Sequence, residues 1–365
     1  MKLGIVGLPN VGKSTLFNAL TKAGAQAANY PFCTIEPNTG VVPVPDDRLH
    51  ALASVYHPKK VVPASVEFVD IAGLVKGASH GEGLGNRFLS HVREVDAIIH
   101  VVRCFHDENV THVEGSIQPL RDIEIINLEL IYADLDVLQR RRDKAEKMLK
   151  SGEKRYAEEI ALTDKLIAHL NSGHPARSLA VNELERATLE SWFLLTEKPV
   201  IYAVNISETE MDGSAPPSMF IQEITDHARN ENSETFIISA KIEEDMALMD
   251  ASERNEFFIY LGLEKSGLDR LISASYRLLG LISFMTVGPD ECRAWTIKAG
   301  TKAPQAAGKI HTDFEKGFIR AEVVPFDVFI QEGSMTACKE KGLVHSEGKE
   351  YVMKDGDIAL IRFNV

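Results

Sequence analysis

Eight residues near the start of the chain have the types and the spacing needed to bind phosphate. They run from Gly7 to Ser14 and read G-L-P-N-V-G-K-S, which matches the pattern G-x-x-x-x-G-K-S. Glycines let the backbone wrap closely around an anion, so that successive N–H groups point at phosphate oxygens. The Lys13 ammonium can neutralise the outer phosphates, and the Ser14 hydroxyl can bind Mg²⁺. The pattern therefore predicts a site for a nucleotide with its metal ion.

Two further segments carry groups that could complete the metal site. Asp70 ends an apolar run and opens a D-x-x-G pattern, so its carboxylate could hold Mg²⁺ through water while the Gly73 N–H meets the terminal phosphate. Thr34 lies in a Gly- and Pro-rich segment, where its hydroxyl could join the metal shell only while that phosphate is present. These groups predict that the segments carrying them change conformation with the state of the bound nucleotide.

The position after Gly73 separates this chain from ordinary regulatory GTPases. Leu74 stands where those enzymes commonly carry a glutamine that positions water, and a leucine side chain cannot orient water. Hydrolysis is then either nearly absent or supported by another group, for which His80 and His112 are the candidates. A lone histidine is more often structural.

The residues expected at the base depart from the guanine-specific pattern N-K-x-D. After an apolar strand the chain reads Asn205-Ile206-Ser207-Glu208, so the lysine is missing and the carboxylate is one methylene longer. Loss of a buried partner can reduce discrimination by up to about 10⁴, which makes adenine plausible. We expect Ser239-Ala240-Lys241 to close over the base edge. A second N-x-x-E, at 182–185, lies in a helix-like run and is discounted.

The elements that must hold these residues form an α/β pattern. Strands are predicted at 2–6, 39–44, 65–71, 96–102, 199–205 and 235–239, with helical patterns between several of them. This alternation predicts a doubly wound nucleotide-binding domain. Two long helical patterns, 123–149 and 156–170, interrupt it as an inserted hairpin. From Gly280 onward, short β-like runs predict a separate small α+β domain.

Composition and charge limit the function. The 365-residue chain carries a net charge of −13, which argues against a protein that coats nucleic acid with its whole surface. Residues 140–155 are nevertheless dense in Lys and Arg, either as a solvated hairpin tip or as a contact to RNA phosphates. No apolar run is long enough to span a membrane, and the four cysteines show no metal spacing, so we expect a cytoplasmic protein without membrane or DNA contacts.

The motifs together resemble one family along essentially the whole chain. The segments GLPNVGKST, NYPFCTIEPN, DIAGLVKGAS and KIHTDFEKGFIRAE, with the N-x-x-E variant, resemble the YchF or Obg-like ATPase family. This resemblance implies an Obg-type P-loop domain at 1–279 with a coiled-coil insertion at about 121–198. It also implies a C-terminal TGS domain, a ubiquitin-like β-grasp fold, at 280–365.

The same resemblance assigns roles to individual residues. It implies that Asn10, Val11, Gly12, Lys13, Ser14 and Thr15 cradle the phosphates, that Ser14 and Thr34 bind Mg²⁺, and that Asn205, Ile206 and Glu208 meet the base. It further implies that His112 supports hydrolysis. Asn10 matches an asparagine that helps to hold K⁺ in related enzymes.

The expected function is a Mg²⁺-dependent ATPase that prefers ATP to GTP and associates with the ribosome. The ribosome contact, to the large subunit or to the 70S particle, would use the basic hairpin tip and the TGS domain. Two alternatives remain open at this stage. One is an Obg-like GTPase in ribosome assembly, and the other is a non-hydrolysing platform on which nucleotide shapes a surface for RNA or protein.

Overall fold

The computed structural model describes most of the chain. The described residues are 1–27, 38–71, 84–107, 110, 115–149, 153–263 and 265–364. All statements about structure below concern these residues.

The described strands form two sheets of six strands each. Their bounds are β1 (Lys2–Val6), β2 (Thr39–Pro43), β3 (Lys60–Val62), β4 (Ser65–Asp70), β5 (Ala97–Arg103), β6 (Val200–Asn205), β7 (Glu234–Ile238), β8 (Leu281–Thr286), β9 (Glu291–Lys298), β10 (Phe318–Pro325), β11 (His345–Glu347) and β12 (Asp357–Phe363).

The described helices begin directly after several of these strands. Their bounds are α1 (Lys13–Ala27), α2 (Asp47–Tyr56), α3 (Leu84–Glu94), α4 (Pro119–Leu149), α5 (Lys154–Asn171), α6 (Glu183–Glu190), α7 (Glu208–Met211), α8 (Phe220–Asn230), α9 (Ala240–Met246), α10 (Ala251–Leu261), α11 (Gly267–Leu278), α12 (Ala303–Ile310), α13 (Thr312–Lys316), α14 (Phe326–Glu332) and α15 (Met335–Glu340). A 3₁₀ turn spans Ala176–Ser178.

The first sheet has the strand order β2-β4-β1-β5-β6-β7. β1 pairs in parallel with β4 and β5, and β5, β6 and β7 pair in parallel in turn. Every residue of β5 and of β6 is buried, as expected for central strands of a parallel sheet. All six strands of this sheet lie within one or two residues of their predicted positions. The predicted doubly wound α/β fold is confirmed.

Two long successive helices, α4 and α5, follow β5, where the sequence predicts a helical hairpin. α4 and α5 pack through a leucine-rich seam that includes Leu138, Leu162 and Leu166, and Trp192 belongs to the same cluster. Arg141 stacks its guanidinium 4.6 Å from the Trp192 ring centroid. The discounted 182–185 pattern is a capping box, because Asn182 caps α6 and Glu185 bonds back to the cap.

The second sheet has the order β11-β10-β12-β8-β9-β3. One of its faces is covered by α12, whose Ala303, Ala306 and Ala307 pack against Phe284 and Ile361. The strands β8, β9, β10 and β12 are short, as expected of the β-like sequence after Gly280. β3 was not predicted, and it pairs in parallel with β9.

The described residues divide into two compact units. The first consists of residues 1–26, 38–40 and 67–268, and the second consists mainly of residues 41–66 and 269–364. The second unit thus includes α2 and β3, which the sequence places between the two switch segments. The proposed domains 1–279, with its insertion at about 121–198, and 280–365 remain predictions, as does the TGS assignment.

A buried polar network joins the helical insertion to the first sheet. Arg177 of the 3₁₀ turn donates to Glu231 Oε2 at 2.5 Å, and Tyr202 of β6 donates to the same oxygen at 2.7 Å. Asn127 of α4 donates to Glu231 Oε1 at 3.3 Å. Burial raises the pKa of Glu231, but His227 and Arg177 outweigh it and bring this pKa to about 2.

His100 of β5 is buried beside this network, and its ring centroid lies 5.4 Å from that of Tyr202. Burial lowers the pKa of His100 to about 3, and the positive charge of Arg177 adds to the effect. The imidazole is therefore neutral in the folded protein throughout the physiological range of pH.

No helix in the described part of the chain is long and apolar enough to cross a membrane.

We predict that His100 makes the first unit less stable as pH falls below 6.5. Between pH 6.5 and about 3 the unfolded chain binds a proton at this residue that the folded protein does not. The free energy of unfolding then falls by about 1.4 kcal/mol per pH unit from this residue alone. Urea unfolding at pH 7.5, 6.0 and 5.0 measures the slope.

The control is His100→Leu, which removes the titrating group. Both proteins carry Trp295→Phe, so that Trp192, the other of the two tryptophans, reports on the first unit. Between pH 7.5 and 5.0 the parent protein is expected to lose about 2 kcal/mol more than the His100→Leu variant. Equal losses would refute the assignment.

Candidate functional site

The carboxyl ends of the parallel strands bring the predicted residues to one edge of the first sheet. Ile5 is in register with Asp70, Arg103 with Asn205, and Asn205 with Ile238. The loops that follow these strands therefore start side by side, at the edge where open α/β sheets bind their ligands.

The phosphate loop has the backbone shape that collects N–H groups. Asn10 and Gly12 both have positive φ, at 63° and 92°. Alternation of left-handed and ordinary conformations points successive N–H groups to one side, which forms an anion-binding concavity. Gly7 is required by space, because a Cβ there would lie 2.8 Å from the Val101 carbonyl oxygen. α1 begins at Lys13, so its positive end faces the same side.

Lys13, Ser14 and Asp70 converge beside this loop. Lys13 Nζ lies 2.5 Å from Asp70 Oδ1, and both side chains are largely buried. Ser14 Oγ lies 3.5 Å from the other carboxylate oxygen. A cation, a hydroxyl and a carboxylate thus meet within a few ångströms; the two oxygen groups are ligands that Mg²⁺ prefers, and the cation suits a phosphate.

Asn205 connects three segments of the site. Its Nδ2 donates to the Val11 carbonyl at 2.9 Å, and its Oδ1 accepts from the Ala240 N–H at 2.9 Å. The side chain is 3% exposed. Gly12 is required here as well, because a Cβ at that position would lie 2.3 Å from Asn205 Nδ2. One amide therefore holds the phosphate loop against the loop that follows β7.

The other predicted base residues occupy distinct positions around Asn205. Ile206 is buried and its N–H donates to the Ile238 carbonyl at 2.9 Å. Ser207 caps α7, and Glu208 is the exposed first residue of that helix. Ser239 is buried and precedes α9. Lys241 pairs with Asp245 at 2.8 Å, which raises its pKa and directs its ammonium along its own helix.

These residues line a cavity of about 680 Å³. Its lining includes the predicted residues Asn10, Gly12, Thr15, Asn205, Ile206, Glu208, Ser239, Ala240 and Lys241. It also includes residues that the sequence reasoning missed, namely Phe105, His106, Asp107, Val110, Ser207 and Glu244. Four of the missed residues follow β5. The sequence could have indicated these four residues, because β5 lies beside β1 and the residues after neighbouring parallel strands lie at the same edge of the sheet.

Other predicted residues cannot be placed. Thr34, Gly73, Leu74, His80 and His112 lie outside the described residues. Their roles stay predictions.

Comparisons with known proteins agree along the full length of the chain. The family model YchF-GTPase_C, described as "Protein of unknown function (DUF933)", matches residues 281–364. The model MMR_HSR1, described as "50S ribosome-binding GTPase", matches residues 2–134.

Individual relatives are similar over nearly their whole length. The "Ribosome-binding ATPase YchF" of Bacillus subtilis (strain 168) is 52% identical, with 99% of both chains covered. The protein of the same name from Escherichia coli O157:H7 is 50% identical, with 100% of this chain and 99% of the relative covered. The solved structure of the Schizosaccharomyces pombe YchF GTPase matches with a TM-score of 0.89 at 41% identity, covering 99% of this chain and 97% of the other.

We predict that Asn205→Asp destabilises the first unit and weakens nucleotide binding. Aspartate keeps an acceptor for the Ala240 N–H but sets a carboxylate against the Val11 carbonyl in a buried position. The expected loss is about 2 kcal/mol in the free energy of unfolding, because a buried acceptor is left facing another acceptor. Urea unfolding of proteins that also carry Trp295→Phe, followed by Trp192 fluorescence, measures this loss.

The matched control is Asn182→Asp, which makes the same chemical change at the helix cap of α6. Aspartate and asparagine cap helices about equally well, so this variant is expected to be as stable as the parent protein. If Asn205→Asp were no less stable than Asn182→Asp, the bridging role of Asn205 would be wrong.

Proposed function

The chain belongs to the YchF family, and we propose that it is a ribosome-binding ATPase whose Mg²⁺-dependent nucleotide cycle switches its contact with the ribosome in translation or stress regulation. The observation that carries this proposal is the Asn205 bridge. It joins a phosphate-binding loop and a base pocket into one cavity of nucleotide size. The expected location in the cytoplasm is part of the same proposal.

The metal would be held by Ser14 and Asp70, with Thr34 as a third ligand. The Ser14 hydroxyl and Asp70 carboxylate already lie together. Lys13 forms an ion pair with Asp70, and a divalent cation on the carboxylate would free the ammonium to meet the outer phosphates. We expect the Gly73 N–H to contact the terminal phosphate. Mg²⁺ supplies charge neutralisation for phosphoryl transfer.

Hydrolysis would proceed by attack of water on the terminal phosphate. Leu74 cannot position this water, and His112 is the group that we propose for the task. Asn10 is the proposed K⁺ ligand, and a cation there would act where other enzymes use an arginine. Because Leu74 stands where a water-positioning glutamine is usual, turnover of the isolated protein is expected to be slow, with ribosome contact completing the site.

The donors and acceptors of the cavity favour adenine. Guanine presents a carbonyl acceptor where adenine presents an amino donor. The Ala240 N–H, which could serve such an acceptor, is occupied by Asn205 Oδ1. Glu208 and Glu244 also line the cavity, and their carboxylates are acceptors that the amino group of either purine could meet, so the engaged Ala240 N–H is the feature that disfavours guanine. Phe105 and Ile206 offer apolar surface for a purine ring.

The rival function is a GTPase of ribosome assembly. The names of the relatives differ on this point, because the bacterial proteins are called ATPases and the solved yeast protein a GTPase. The third candidate, a platform that binds nucleotide without hydrolysis, predicts saturable binding and no release of phosphate. Calorimetric titration with Mg-ATP and Mg-GTP, followed by phosphate-release assays, separates the three.

We predict that the protein binds ATP more tightly than GTP and that Ile206→Lys/Glu208→Asp shifts this preference toward GTP. The double variant restores N-K-x-D, in which the shorter carboxylate accepts two N–H groups from guanine. The ratio of the two dissociation constants is expected to move by at least about 10-fold, the size of one charged hydrogen-bond pair. Parallel titrations with both nucleotides give the ratio.

The control carries the same two kinds of substitution outside the cavity. Thr209→Lys/Glu223→Asp has the same change in charge at exposed positions and is expected to keep the parent ratio. A ratio that favours GTP in the parent protein would support the rival function. An unchanged ratio in the double variant would remove the base-binding role of the N-x-x-E segment.

The contact with the ribosome is proposed to use the basic tip of the α4–α5 hairpin, together with the C-terminal domain. Several cations there are engaged within the hairpin, since Arg141 pairs with Glu159 at 2.8 Å and Arg142 with Asp164 at 2.6 Å. Arg140 and Lys144 make no ion pair within the described part of the chain. Both line a groove between the two helices. These two side chains are the best placed for RNA phosphates.

We predict that Arg140→Glu/Lys144→Glu weakens co-sedimentation with ribosomes and lowers its salt dependence. Each lost phosphate contact removes about one released counterion from the slope of log K against log salt. The two substitutions leave the Arg141 and Arg142 pairs intact, so the hairpin is expected to fold. Sedimentation at 50, 100 and 200 mM salt measures the effect.

The matched control is Arg229→Glu/Arg277→Glu, which reverses two exposed charges away from the hairpin. Equal sedimentation of the two double variants would place the contact elsewhere, with the C-terminal domain as the next region to test.

A further inference from the structure

Arg103 is a buried arginine at the end of β5 whose role no motif predicts. It is 1% exposed, and it is among the largest fully buried side chains of the described chain. It is in register with Asn205 on the neighbouring strand. Its guanidinium therefore lies under the edge of the sheet that carries the nucleotide cavity.

The guanidinium donates to backbone carbonyls of two different loops. Three acceptors follow β5: Nε donates to Phe105 at 3.2 Å, Nη2 to Asp107 at 3.3 Å and Nη1 to Val110 at 3.0 Å. The fourth acceptor is the carbonyl of Asn10 in the phosphate loop, 3.4 Å from Nη1. The Phe105 ring also covers the guanidinium, with 4.8 Å between Cζ and the ring centroid.

The residues held by these bonds form one wall of the cavity. We name Phe105, His106, Asp107 and Val110 the β5 wall; all four line the cavity. A loop that follows a strand has no ladder to hold its carbonyls, so a buried donor is needed to fix them. Arginine suits this role because its planar fork carries five N–H donors in a rigid array.

We propose that Arg103 is a positioning residue that fixes the β5 wall against the phosphate loop and thereby sets the affinity and the selectivity for the base. This inference rests on the proposed ATPase function, since it concerns the same cavity. Arg103 acts through Phe105 and the other wall residues, and its own side chain stays beneath the surface. The carbonyl of Asn10 is the link by which the wall and the phosphates are kept at a fixed distance.

Arg103→Lys is the informative substitution. Lysine keeps the charge, but its three donors radiate from one nitrogen and cannot reach carbonyls spread over the guanidinium plane. The wall is then expected to lose its fixed position. The KM for ATP is expected to rise at least about 10-fold and the preference for ATP over GTP to fall at least about 5-fold, while kcat changes less than about 3-fold.

The matched control is Arg177→Lys, which alters another buried arginine of the same unit. Arg177 bonds Glu231 and Tyr202 and does not line the cavity. Its substitution is expected to lower thermal stability and to leave KM and the ATP/GTP ratio at the parent values. If Arg103→Lys also left KM and the ratio unchanged, or if both variants shifted them equally, the positioning role would be overturned.

A second measurement does not depend on the folding of the variant. The Val110 N–H donates to the Asp107 carbonyl at 3.3 Å within the wall. In the parent protein without nucleotide this amide is expected to exchange with deuterium at least about 10-fold more slowly than an unstructured amide. Exchange at the unstructured rate would overturn the inference. The exchange measurement needs no nucleotide, so it tests the inference separately from the function. Failure of the parent protein to bind ATP would instead refute the proposed function.

Discussion

The close contact of Gly12 with Asn205 is the constraint on which the site depends. There is no room for a side chain at position 12, since a Cβ would lie 2.3 Å from Asn205 Nδ2. The backbone can therefore approach the amide closely enough for it to bond Val11 and Ala240 together. The glycine usually explained by the need to wrap phosphate also serves to connect the phosphate loop with the base pocket. The phosphate loop and the loop that follows β7 are thus held together by one side chain.

The chain between the two predicted switch segments is bonded to residues of the second unit. Residues 41–66 belong to the second unit, where β3 pairs with β9 and Arg48 forms an ion pair with Asp355 at 2.9 Å. This segment continues directly into β4, which ends at Asp70. The strand that carries Asp70 is thus joined to a strand of the second sheet by a few residues of chain.

The sequence allowed the first sheet and its phosphate loop to be predicted because each has a strong local signal. Buried parallel strands are continuous apolar runs, and G-x-x-x-x-G-K-S dictates its own backbone shape. β3 was missed because it has only three residues, two of them exposed, and exists through its pairing with β9. Arg103 was missed for a related reason. An arginine at the end of a strand matches no sequence motif. Its role is visible only in the folded structure, where it bonds carbonyls of the loops that follow β5 and β1.

The loop-bridging role of Asn205 was not predicted, and it bears on selectivity. The sequence places Asn205 at the base, which stays a prediction, and in the structure its amide nitrogen and oxygen join two loops. The Ala240 N–H, which could otherwise meet a guanine carbonyl, is engaged by this amide. Lys241, the remaining cation of that loop, is held by Asp245. On the proposed preference for adenine, the bonds that keep the phosphate loop in place would also disfavour guanine, and altering one property is expected to alter the other.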